Sequence, residues 1–266
     1  MPYSTETGPK IYYEVAGQGP AMVLVHANPY DRRLWLYQIA RLSQFYTVIS
    51  LDIRGYGLSD KPETPFSLED MAEDVIGVCR REGITHAIFA GVSVGSGIAL
   101  VIGLDHPEMA DGLILVGGNS RGGGGIQKRI DGYTSDDLAG FRRAHMCELF
   151  APGFPETPQG RWTVNLFCEN SPTLSGQSIA QIFRAREGCN MTARLPEIRT
   201  PTLVINGDYD GSMRAGKETA AGIPGAKHVV IPKTGHACCI EDPATFDAAM
   251  IGFLKENRLW PEGAPS

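Results

Sequence analysis

The stretch Gly91-Val92-Ser93-Val94-Gly95 decides how this chain is read. An apolar run with β character, His86-Ala87-Ile88-Phe89-Ala90, leads into it, and an apolar helical run, Val94 to Leu104, leads out. In that setting G-x-S-x-G is a strand, a sharp strained turn and a helix. Glycines flank the serine because backbones approach closely in such a turn, and the serine itself is forced into an unfavourable region of φ/ψ space. The strain lifts the hydroxyl clear of the sheet, to a helix N-terminus where N–H groups and the helix dipole favour negative charge. Taken alone, the pentapeptide reads equally well as a glycine-rich turn with an incidental serine. The rest of the chain decides.

Upstream of it, Lys10 to Ala16 reads as a short strand, Ala21-Met22-Val23-Leu24-Val25 as a buried one, and Tyr46 to Leu51 as a third. Leu34, Ile39 and Leu42 predict a helix over about 33–43, and Ser67 with Asp70 predicts an N-cap for a helix to about Arg81. Downstream, Asp111 to Val116 is another apolar strand. This alternation of strand and helix predicts right-handed crossovers and a mainly parallel sheet covered on both faces. The pattern breaks at about Gly117. Residues 126–195 hold helical pieces without a buried strand, interrupted by Pro152, Pro155, Pro158 and Pro172, and preceded by the flexible run Gly122–Gly125. They read as an inserted helical cap whose aromatics mostly form its own small core. Alternation returns with the strand Thr202 to Asn206, a helix over about 213–221, a strand from Ala226 to Ile231 and a helix from about Pro243 to Lys255. Trp260 to Ser266 reads as a loose tail. The domain division is therefore a core of residues 1–118 and 197–266 and a cap of residues 119–196.

Composition excludes several classes. The chain has 266 residues, 42% of them hydrophobic and 20% charged, as ordinary globular domains do. A net charge of −6 and a pI near 5.5 disfavour nucleic acid and anionic membranes as partners. No apolar run approaches the ~18 residues of a membrane span. Met1 to Glu6 lacks the basic start and apolar core of a signal peptide, so a cytoplasmic location is expected. The six cysteines, 79, 147, 168, 189, 238 and 239, show no zinc-site spacing and read as reduced thiols; no metal site is expected. Gly122–Gly125 lacks the Lys-Ser/Thr of a phosphate-binding loop.

A serine hydroxyl needs an adjacent base to become a nucleophile. Ser93, Asp210 and His236 each lie just beyond the end of a predicted strand, at the sheet edge where ligands bind in parallel sheets. They also follow one another in the order Ser, Asp, His. Asp208 is the rival acid, and His26, His86, His106, His145 and His228 are poorer candidates for the base.

Five motifs stand in order: His26-Ala27-Asn28-Pro29, Asp52-x-Arg54-Gly55-x-Gly57-x-Ser59, Gly91-x-Ser93-x-Gly95, Gly207-x-x-Asp210 and Gly235-His236. With them the chain resembles the α/β-hydrolase fold enzymes over nearly its whole length, and within them the small capped esterases and lactonases typified by 3-oxoadipate enol-lactonases. The resemblance implies an α/β fold with a mostly parallel central sheet, helices on both faces and an inserted helical cap. It implies Ser93 as nucleophile, His236 as base and Asp210, three residues past the glycine, as the acid that orients it, leaving Asp208 to shape the loop. The oxyanion hole would use the backbone N–H groups of Val94 and Asn28. Ala27 departs from the pattern, standing where glycine is usual. Asn28 and His26 are candidate substrate contacts, His26 also supporting the oxyanion loop. An Asn28 of this kind helps bind halide in haloalkane dehalogenases, but those enzymes use an aspartate nucleophile, whereas Ser93 and Val94 stand here. Arg54 is expected to neutralise a buried loop carboxylate. Arg129, Arg142, Arg143 and Arg184 are cap cations within reach of a substrate carboxylate, most of them expected on the solvated surface.

The expected activity is hydrolysis of a small carboxylic ester or lactone through an acyl-enzyme, with no cofactor. The same triad could cleave a C–C bond or form peracids as in cofactor-free haloperoxidases, and some members of the fold are small-ligand receptors. A small-molecule substrate is the expected partner, and a homo-oligomer stays open.

Overall fold

Apolar runs without alternation belong in strands covered on both faces, and the computed structural model of the chain, which describes residues 3, 4 and 8–261, places them so. Seven strands among the described residues form one sheet: β1 (Tyr13–Ala16), β2 (Ala21–Val25), β3 (Thr47–Leu51), β4 (Ala87–Val92), β5 (Ala110–Val116), β6 (Thr202–Gly207) and β7 (Lys227–Ile231). Their order is β1-β3-β2-β4-β5-β6-β7; β1 is antiparallel to β3, and the remaining pairs are parallel. The helices are α1 (Leu36–Leu42), α2 (Leu68–Arg81), α3 (Val94–Asp105), α4 (Ile126–Tyr133), α5 (Leu138–Leu149), α6 (Pro158–Cys168), α7 (Gly176–Glu187), α8 (Met213–Gly222), α9 (Cys238–Glu241) and α10 (Pro243–Glu256). One face of the sheet packs on α2, α3 and α8 through residues such as Met71, Val75, Ile98 and Ala220. The other packs on α1 and α10 through Leu42, Phe246 and Met250. Among the described residues no helix is long and apolar enough to cross a membrane.

Local signals hold where side chains act on their own backbone. Ser67 and Asp70 close a full capping box on α2. Differences have local causes. Regular pairing begins at Tyr13, not Lys10, because the N–H groups of Lys10 and Tyr12 bond to the side chains of Asp60 and Ser59 at 2.8 Å each. The helix expected over 33–43 starts as a tight 3-10 turn, Arg32–Trp35, capped by Asp31. The short α9 has too few residues for a periodic pattern. Trp260 is no loose tail: its ring lies 5.1 Å from Phe45 and 5.9 Å from Tyr46, whose hydroxyl donates to the Leu259 carbonyl at 2.7 Å. The tail past residue 261 lies outside the described residues, as does most of Met1 to Glu6.

Between β5 and β6 the chain runs through α4 to α7. The aromatics there do not form a core of their own. Tyr133, Phe141 and Phe183 join the cluster on the α2–α3 face, and Phe150 and Phe167 join the opposite one, where Tyr30 lies 5.0 Å from Phe167. Among the described residues, Ile126, Ile130 and Ala180, with Phe183 against them, make a small separate cluster. Short helices present more apolar surface than they cover for one another, so they bury it on the body of the protein.

The turn after β4 leaves no space for side chains. A Cβ on Gly91 would lie 2.1 Å from the Gly95 carbonyl group, and one on Gly95 would lie 2.3 Å from the Val25 oxygen. Gly95→Ala is therefore expected to cost ~1–3 kcal/mol of stability, the usual range for overpacking, read by denaturant unfolding. Wild-type stability in that variant would show that β2 and α3 can part freely.

Candidate active site

Ser93 occupies the turn between β4 and α3 at φ 56° and ψ −111°. A non-glycine residue in such a region costs ~1–3 kcal/mol and persists only when its surroundings hold it. Here they do: the Ser93 N–H donates to the Val116 carbonyl at 2.8 Å, and the Ser93 carbonyl accepts from the Gly97 N–H at 3.1 Å and the Ser96 hydroxyl at 2.7 Å. Val94 opens α3, so its N–H lacks an intrahelical acceptor.

Asp210 and His236, from the loops after β6 and β7, meet directly. His236 Nδ1–H donates to Asp210 Oδ1 at 2.8 Å. The carboxylate also accepts from Asn206 Nδ2 at 2.8 Å and from the Ser212 N–H and hydroxyl at 2.8 and 2.9 Å. Burial alone would raise the Asp210 carboxyl, but the His236 charge and these hydrogen bonds hold it well below the usual carboxylate range. Burial likewise lowers His236, and the Asp210 carboxylate outweighs it, leaving the imidazole above its ordinary value. Asp208 does not compete; its Oδ1 accepts from the Thr234 N–H at 3.2 Å within the loop. The His236 loop is anchored from behind. Its N–H donates to the Leu149 carbonyl at 2.7 Å, while Glu241 accepts from the N–H groups of Gly235 and Ala151 at 2.8 Å each. Burial pushes the Glu241 carboxyl up to about 7 despite those two bonds.

The His26–Pro29 loop approaches from the other side. His26 is fully buried. Its Nε2 accepts from the Ile53 N–H and its Nδ1 bonds the Ala27 carbonyl, both at 3.0 Å, so it ties this loop to the one after β3 and is not placed to touch a substrate. Ala27 needs no glycine: its backbone stays out of the left-handed region and its methyl is buried. Asn28 lines the site with a buried, unpartnered Oδ1. Arg142, expected near the surface, is fully buried; its Nε and Nη2 donate to the Pro29 carbonyl at 2.9 and 2.7 Å and so fix the loop. Arg54 pairs at 2.7 Å with Asp74 on α2, not with a loop acid, and Arg32 neutralises the buried loop carboxylate Asp52 at 3.0 Å. Arg143 bonds Asn165, and Arg184 is exposed. Cys238 and Cys239 are buried, and burial pushes both thiols up, away from the reactive thiolate.

Asn28, Ser93, Val94 and His236 line one chamber of about 200 Å³. Asp210 opens on an adjoining vestibule of about 690 Å³ that shares His236 with it. Gly123 and Gly124 line both spaces, so the four-glycine run forms part of the rim. Several residues of the site escaped sequence reading. Gly117, at φ +55°, carries the largest consequence: a Cβ there would lie 2.7 Å from the His236 ring. Its place just past an apolar strand was the available signal. Asn206 and Ser212, which hold Asp210, and Arg186, which lines the chamber, carried none.

The alpha/beta hydrolase fold family matches residues 20–243. A Caulobacter segnis protein named as a candidate carbamate hydrolase, RutD, is 29% identical over 266 residues, covering 95% of this chain and 99% of its own. The structure of the enol-lactonase from Burkholderia xenovorans LB400 superposes with a TM-score of 0.90 at 24% identity, covering 96% of this chain and all of that one (100%), and so shares the fold. The esterase EaEST from Exiguobacterium antarcticum matches with a TM-score of 0.84 at 26% identity over 95% of this chain and 98% of its own. With that sheet order, that strained turn and a family match spanning both, the chain belongs to the alpha/beta hydrolase fold family and is an α/β hydrolase.

Proposed function

We propose that this hydrolase cleaves a small carboxylic ester or lactone through an acyl-enzyme on Ser93. The observation that carries the reading is the Asp210–His236 pair, bonded at 2.8 Å, with its histidine on the same chamber as the strained Ser93. The Ser93 hydroxyl oxygen attacks the carbonyl carbon while His236 Nε2 takes the proton. Asp210 holds Nδ1–H, fixing the tautomer and favouring the imidazolium that forms. The negative charge on the former carbonyl oxygen is met by the N–H groups of Val94 and Asn28; a lost donor of this kind costs ~2.7–4 kcal/mol. His236 returns its proton to the departing alkoxide, then activates the water that releases the acid. Residues 119–196 act as a cap, and the chamber of about 200 Å³ sets the size of the acyl group. The esterase similarity supports the ester reading; the fold alone would not, since it hosts many chemistries.

Short-chain p-nitrophenyl esters test the nucleophile. Ser93→Ala is expected to fold and to lose nearly all turnover, whereas a variant with wild-type kcat would refute the role. The acid is tested by a pair. Asp210→Asn is expected to lower kcat by about 10⁴-fold, as tautomer loss does in serine proteases, and Asp208→Asn far less; the reverse order would reassign it.

The pH profile gives a further check. An imidazolium cannot take the serine proton, so kcat/KM falls as pH drops through the His236 pKa. That acidic limb is expected above the ordinary histidine value of 6.5, because Asp210 stabilises the charged ring. In Asp210→Asn only the weaker Glu241 charge still opposes the effect of burial, so the limb of the residual activity moves down. A limb that stays in place would separate His236 from Asp210.

A further inference from the structure

Arg186, near the end of α7, lines the chamber that holds Ser93. Its Nη2 donates to the carbonyls of Asn119 and Arg121 at 3.3 and 3.0 Å and to the Asn119 side-chain oxygen. All of these acceptors are neutral. Its Nη1 is buried with no hydrogen-bond partner and packs against Gly97, one turn along α3 from Ser93; a Cβ there would meet it at 2.8 Å. Among the described residues, no carboxylate lies within ion-pair distance of this guanidinium. The other arginines set beside buried surface are matched differently: Arg32 has Asp52 and Arg54 has Asp74, while Arg142 holds several carbonyl and side-chain oxygens.

The second cation on the chamber, Arg129, gives its Nη2 to Glu148 at 2.9 Å and leaves its Nη1 buried and unpartnered. The third basic side chain there, His145, bonds Tyr133 and is pushed down to about 3 by burial and by Arg129, so it stays neutral. Among the described residues no carboxylate lines this inner chamber; Glu148, Asp210 and Glu218 border the outer vestibule. The space beside Ser93 therefore holds more positive than negative charge, in a desolvated setting where an unmatched guanidinium is costly. A planar fork with free N–H groups fits a carboxylate.

We propose that Arg186, aided by Arg129, binds a carboxylate carried by the substrate, so that the enzyme acts on esters or lactones bearing an acid group. The proposal rests on the reading of Ser93 as nucleophile. The guanidinium pairs with the acid, and the distance from Arg186 to Ser93 selects how far that acid stands from the reacting carbonyl. Arg129 adds a weaker attraction because Glu148 already occupies one side of its fork.

The test pairs each of monomethyl succinate, glutarate and adipate with its amide isostere. Binding to Ser93→Ala is measured by calorimetry, and turnover by wild type is measured beside it. At least one acid ester is expected to bind Ser93→Ala about 10- to 100-fold tighter than its amide, the span of a charge-assisted hydrogen bond. The double variant Ser93→Ala/Arg186→Gln is expected to bring that ratio near unity, and Ser93→Ala/Arg186→Lys to restore part of it. Thermal unfolding of each variant checks that it is folded. Equal binding of acid and amide by Ser93→Ala, or a ratio untouched in both Arg186 variants, would overturn the proposal. Selective binding without turnover by wild type would uphold the anion site and instead remove the ester-hydrolase reading.

Discussion

The close approach of three backbones at the end of β4 is the constraint on which the rest depends. Ser93 sits where a side chain is disfavoured, and it stays there because β5 takes its N–H while α3 takes its carbonyl. The glycines on either side let β2 and α3 come within contact distance of that turn. One geometric act thus sets the serine at the carboxyl edge of the sheet and points the first N–H of a helix at the same place. The cost of the strain is spread over a buried core on both faces of the sheet, where it is small beside the burial of residues such as Val23, Phe89 and Ile98.

Around that turn, charge is settled in two ways. Buried acids are matched in full: Asp52 by Arg32 and backbone N–H groups, and Asp210 by His236, Asn206 and Ser212. Buried cations are matched more loosely. Arg142 spends its donors on carbonyls and so fixes the loop of Asn28, while Arg186 keeps a donor unspent. The first pattern holds the groups of the site in one geometry; the second leaves the chamber with an affinity for negative charge. The two anchors from the segment between β5 and β6, Arg142 on the Pro29 carbonyl and the Leu149 carbonyl on the His236 N–H, tie both sides of the site to that segment. A shift of α5 would reach Asn28 and His236 together.

Much of the fold was legible because its signals are local. A buried parallel strand is a short apolar run, and Ser67 with Asp70 writes the start of α2. The candidate triad was legible for a related reason: each member stands just past such a run, where the topology gathers side chains at one edge. What was not legible depends on distant contacts. Arg142 and Arg54 are the same residue type, yet one becomes fully buried against Pro29 and the other pairs across to α2. The aromatics after β5 read as a small core because nothing in their spacing shows that Tyr133 and Phe167 end on opposite faces of the sheet. His26 looked like a site residue by its motif, and its ring turned out to be spent on joining two loops.

The most direct measurement is acid-quenched mass spectrometry of the protein mixed with p-nitrophenyl acetate. The account predicts one acetyl group per chain, located by peptide mapping on Ser93, accumulating within the first turnover and absent from His236→Ala. An acetyl group on another residue, or turnover with no trapped adduct and undiminished in Ser93→Ala, would contradict it.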